Sequence, residues 1–75
     1  MRFYLVTGAM SRGAEIQLYS HTLSAPSKEA ALGEAMNTAQ RQFPGYAANA
    51  FNTYDVTDAV LDYARYILDV EVTQS

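Results

Sequence analysis

The chain has 75 residues, no cysteine, five basic and eight acidic side chains, and a formal net charge of −3. That length makes one domain, residues 1–75, with a small core and marginal stability. The composition excludes disulfide bracing and thiolate chemistry, and a few scattered bases give no cationic face to displace counterions from DNA or RNA.

From Met1 to Thr7 apolar residues alternate, which predicts a first strand: Phe3, Leu5 and Thr7 share one face, and Arg2, Tyr4 and Val6 the other. Gly8 to Gly13 (GAMSRG) reads as a turn, with glycine at both ends and a polar middle. Ala14 to Leu23 alternates again as a second strand. Ala14, Ile16, Leu18 and Ser20 face one way, and Glu15, Gln17, Tyr19 and His21 the other. The short connection pairs the two strands as an antiparallel hairpin whose Ile16/Leu18 face is expected to lie on the central helix.

Ser27 to Phe43 (SKEAALGEAMNTAQRQF) is that helix. Leu32, Met36, Ala39 and Phe43 repeat at helical spacing, and Ala31 and Ala35 flank them with small side chains that let a sheet approach closely. Ser27 is a good N-cap, Glu29 complements the helix dipole, and Pro44-Gly45 ends the helix. Tyr46 to Ala50 is open between loop and strand. Ala50 to Val56 predicts a third strand. Thr57 then reads as the N-cap of a second helix, with Val56 and Leu61 at the spacing of a hydrophobic staple. Val60, Leu61, Ala64, Ile67 and Leu68 form its apolar stripe, and Arg65 stands where it can pair with Asp62 and Asp69. Residues 69–73 fit either a short strand or a helix end, with the helix favoured to about Val70. The expected class is α+β in the order ββαβα: a hairpin and a third strand packed on a central helix, with a second helix at the C-terminus.

Chemistry-bearing patterns are sparse. The Gly8–Gly13 stretch spaces its glycines like a phosphate-binding loop but lacks the following lysine and helix that would hold phosphate, so it reads as a hairpin turn with Arg12 at its tip to contact a partner. His21 is the single histidine, and neighbouring Ser20 points to the opposite side of the strand, which leaves no nucleophile–base pair. Asp55, Asp58 and Asp62 do not have the alternating oxygens and glycine of a calcium loop, and capping explains them. No catalytic residue, cofactor or metal is expected. No run approaches the roughly 20 apolar residues of a membrane span, and residues 1–6 are too short for the apolar core of a signal peptide.

Two surfaces stand out. Tyr4 and Tyr19 are assigned to the face of adjacent strands away from the helix, and Tyr63 and Tyr66 lie beside or opposite the apolar stripe of the second helix; tyrosine suits protein contacts because it gives large area at low entropic cost. Aromatic sheets also bind RNA, but here only Arg2 is close enough to flank the rings. The second surface is acidic: Asp55, Asp58, Asp62, Asp69 and Glu71 crowd the last third against Arg65 alone.

The hairpin, then Ser27-Lys28-Glu29-Ala30-Ala31, a helix ending in Phe43-Pro44-Gly45, and a final strand and helix resemble small uncharacterised phage and prophage proteins of ββαβα pattern. The resemblance implies a bacterial or phage origin and a cytoplasmic location, and carries no activity. The expected function is a non-enzymatic protein-interaction or regulatory module that binds a protein partner or itself, as a homodimer, with no nucleic acid or membrane bound. Exchange of Tyr4 and Tyr19 for serine is then expected to remove association and leave the fold intact. The alternative is an acidic inhibitor that mimics nucleic acid and blocks a host nucleic-acid-binding protein.

Overall fold

The computed structural model describes residues 1–74, with side chains through Ile67. The elements are β1 (Arg2–Arg12), β2 (Glu15–Ala25), α1 (Lys28–Gln42), β3 (Ala47–Asp55) and α2 (Thr57–Gln74). They form the expected ββαβα, α+β arrangement, with one antiparallel sheet in the order β2-β1-β3. No described helix is long and apolar enough to cross a membrane.

The hairpin is longer than its glycines suggest. β1 continues through Gly8 to Arg12, and the reversal takes only Gly13 and Ala14, with Arg12 opposite Glu15. Gly13 has φ +61°, the left-handed conformation a two-residue hairpin asks of its first central residue. Gly8 is a strand residue. It sits where the β1–β3 ladder shifts register between Thr7 and Ala9, and Ala50 on the facing strand takes φ 53°. This is a β-bulge: Ala50 and Phe51 together face Gly8. Of the Tyr46–Ala50 stretch, Ala47 to Ala50 form the beginning of β3 and Tyr46 precedes it.

α1 follows its sequence signals. Ser27 caps it, its hydroxyl accepting the Ala30 N–H at 3.1 Å. Phe43 ends it, donating its N–H to the Ala39 carbonyl at 2.9 Å. The buried line is Ala31, Ala35 and Ala39, while Leu32 and Phe43 flank it. The three alanines carry little bulk themselves, so directly beneath them the sheet fills the space between the layers.

It does so with Tyr4, Val6, Met10 and Tyr19, which with Ala25 and the three alanines make the core. Full burial of side chains such as Val6 and Met10 contributes about 1.5–3 kcal/mol each. This reverses the expected sides of the sheet. Ile16 and Leu18 do not face α1; they are 66% and 84% exposed. The register decides the matter. Tyr4 pairs with Leu23, Val6 with His21 and Gly8 with Tyr19, so even positions of β1 and odd positions of β2 share the α1 side.

α2 begins at Thr57 itself. The Val56 carbonyl accepts the Val60 N–H at 2.9 Å, and Thr57 is already helical. Asp55 supplies the capping acceptor, taking the Thr57 N–H at 3.0 Å. The Thr57 hydroxyl instead accepts the Phe3 N–H at 2.9 Å, and Val56 donates to the Phe3 carbonyl at 2.9 Å. These bonds fasten the start of α2 to the start of β1. Residues 69–73 are helical; the side chains of Leu68, Asp69 and Glu71, and with them the Arg65–Asp69 pair, lie outside the described residues.

From that anchor α2 runs away from the sheet. Its packed neighbour among the described residues is β1. The molecule measures 52 × 25 × 17 Å. Its radius of gyration is 15.7 Å, against about 11 Å for a compact chain of this length.

Candidate interaction surface

Tyr4 and Tyr19 do not form an external aromatic face. They are 5% and 8% exposed and lie beneath α1. Nor are they cross-strand partners, since Tyr4 stands opposite Leu23 and Tyr19 opposite Gly8. Tyr19 instead organises a small aromatic group. Its hydroxyl lies 2.9 Å from His21 Nδ1, two residues along the same face. Its ring is edge-on to the imidazole at 6.2 Å and tilted against Phe51 at 5.9 Å. Burial pushes the Tyr19 phenol pKa up, which keeps it a neutral hydrogen-bonding group. His21 is half-buried in this group and not a fully solvated strand histidine.

Arg12 is engaged at the hairpin tip. It forms an ion pair with Glu15 at 3.4 Å, and its guanidinium lies 4.7 Å from the centre of the Tyr46 ring. The Tyr46 hydroxyl donates to the Glu15 carboxylate, and this hydrogen bond raises the Tyr46 pKa. The three side chains tie the tip to the segment that leads into β3.

The acids are distributed, not gathered. Asp55 bonds Arg2 Nε at 2.6 Å as well as capping α2. The hydrogen bond from Arg2, then those from Thr57, hold the Asp55 carboxyl at about 2, well below its ordinary value. Asp62 pairs with Arg65 at 3.4 Å, and Asp58 sits in the first turn of α2. Among the described residues no three His, Asp or Glu side chains come together to hold a cation. An open cleft of about 430 Å³ separates the start of α1 from β3, lined in part by Lys28, Glu29, Leu32, Phe51 and Tyr54. Beside it the buried Thr53 hydroxyl has no hydrogen-bond partner among the described residues.

The other side of the sheet carries exposed apolar side chains. Register sets Ala9 beside Leu18, Ser11 beside Ile16, and Leu5 between Thr22 and Tyr54. Ile16 and Leu18 are exposed as given above, and Tyr54 is 51% exposed. Among the described residues no helix covers this side. Tyr63 and Tyr66 are also exposed, on α2, as is Leu61 of its apolar stripe. Of the expected contact residues, Tyr63 and Tyr66 are accessible, whereas Tyr4 and Tyr19 are structural. Ile16, Leu18 and Tyr54 escaped the sequence reading because alternation shows which residues share a face, not which face turns inward. A signal was present in the alanines of α1: a helix with no bulky buried line is matched by the sheet face carrying the larger rings.

No protein-family model, curated protein or solved structure matches the chain.

Proposed function

We propose that the protein is a non-enzymatic interaction module whose outer sheet face binds a protein surface. The observation that carries this reading is the exposure of Ile16 and Leu18, neighbours on one side of β2, with Tyr54 exposed further along the same sheet face beside Leu5. Large aliphatic side chains are kept in water side by side on a sheet face only at a cost, and grouped exposure of this kind marks interaction sites. Tyr54 adds an aromatic anchor with a polar tip, a residue type favoured in interface centres. The paired positions of this face carry no charged side chain, and the uncharged polar row Ser20, Thr7 and Asn52 lies between Ile16/Leu18 and Leu5/Tyr54, a mix of apolar and neutral polar groups that suits a protein interface.

This reading is preferred to an acidic mimic of nucleic acid, because Asp55 and Asp62 are engaged by neighbouring arginines. The resemblance to small phage and prophage proteins supports a bacterial cytoplasm as its place of action.

The test is a nuclease-treated pull-down from a bacterial lysate that also contains the untagged chain, with the Ile16→Asp/Leu18→Asp double variant as control. Both side chains are exposed, so the variant is expected to fold. A protein, or a second copy, retained by the wild type and lost by the variant is the expected result. Equal retention by both, or none by either, overturns the reading.

A further inference from the structure

We infer that the occupant of the outer sheet face is a second copy of this chain, with α2 of each protomer laid across the sheet of the other. This deepens the reading of that face as an interface and rests on it.

The chain holds two surfaces with exposed apolar side chains that match one another in length. One is the uncharged outer face. The other is α2, on which Val60, Leu61, Ala64 and Ile67 recur at helical spacing. The charged side chains Asp58, Asp62 and Arg65 interleave with this line and do not interrupt it. A helix of 18 residues is about 27 Å long. Strands of 11 residues, as β1 and β2 are, extend about 36 Å, so the helix fits within the face.

The helix is held off its own sheet. Thr57 and Val56 bond to Phe3, and Asp55 bonds to Arg2, all at the end of β1 from which α2 departs. These fastenings hold the start of α2 at the end of β1 away from Ile16 and Leu18, which stand opposite Ser11 and Ala9. A second layer on this face would then come from outside the chain, since among the described residues no helix lies over Ile16 and Leu18. A two-fold exchange supplies it to both copies at once, and gives each sheet a helix on either side.

The area agrees. The chain exposes 5251 Å², whereas a compact protein of 8.3 kDa exposes about 4,600 Å². Each copy therefore carries about 650 Å² beyond the compact value, and two copies that hide this excess bury about 1,300 Å², within the range of stable specific interfaces.

The absence of cysteine allows a clean test. Leu18→Cys and Ala64→Cys are made as separate chains with tags of different size, checked for fold by circular dichroism, mixed and oxidised. Because the thiols are on different chains, a link between them reports only contact across protomers. Light scattering of the untouched chain at high micromolar concentration is run beside it. The expected result is a dimer mass and a Leu18→Cys to Ala64→Cys cross-link. A monomer mass overturns the inference. So does a dimer that links Ala64→Cys only to itself, or that gives no link to Leu18→Cys, since the contact then runs between helices or strand edges. If the chain is a monomer but Ile16 and Leu18 still govern capture of a different protein, the broader reading stands and this one falls.

Discussion

The ring of Phe51 fills the space that a side chain on Gly8 would occupy. All three nearest atoms to a β-carbon built at Gly8 belong to that ring. The glycine is there for a close approach and not for a turn. It permits Phe51 to reach Tyr19 across the middle strand, and the bulge at Ala50 brings the ring into place. Gly8→Ala is therefore expected to destabilise the fold by about 1–3 kcal/mol through overpacking. In a Phe51→Ala background the same change is expected to cost clearly less, because the obstructing ring atoms are gone. Urea denaturation of the four chains measures the coupling. Equal cost in both backgrounds would remove the ring as the cause.

Asp55 links acid stability to the anchor of α2. Its carboxyl titrates at about 2 in the fold and near 3.8 when unperturbed. The unfolded state thus binds the proton first. Stability contributed by the carboxylate is complete above the unfolded value and is lost as the pH falls through the folded one. Thermal melts between pH 5 and pH 2 are expected to show a step across this window that is absent in Asp55→Asn. A wild type and variant that fall in parallel would show that the Arg2 and Thr57 contacts contribute no linkage.

The tyrosines of the core give a prediction opposite to the one drawn from alternation alone. Tyr4→Ser/Tyr19→Ser removes two buried rings, each worth about 3–5 kcal/mol, from a domain whose total stability is on the order of 5 kcal/mol. The double variant is expected to unfold at room temperature, by circular dichroism. Tyr19→Phe keeps the ring and deletes the contact to His21, and is expected to cost about 1 kcal/mol. A folded double-serine variant would contradict the assignment of this face to the core.

The order of elements and the limits of α1 were legible because their causes are local: alternation at period two, the Ser27 cap, and Pro44-Gly45 after Phe43. The choice of inner face was not local. Tyr4 and Val6 alternate with Leu5 and Phe3, and both sets are apolar, so the decision fell to the alanine line of α1. The role of Gly8 depends on Phe51, distant in sequence, and no turn rule contains that information. At the second helix the sequence points to Thr57 as the N-cap, but the capping acceptor is Asp55, since the Thr57 hydroxyl is taken by Phe3. Tyr63 and Tyr66 were legible as accessible side chains, whereas the exposure of Ile16, Leu18 and Tyr54 became visible only with the register.

The most direct measurement is the solvent exposure of the Ile16 and Leu18 methyl groups, by relaxation from a soluble paramagnetic probe. It is made on the isotope-labelled chain at low and at high micromolar concentration. If a second copy covers the outer face, both methyls are strongly relaxed at low concentration and become protected at high concentration, together with Leu61 on α2. Methyls that remain equally relaxed throughout would contradict self-association through this face.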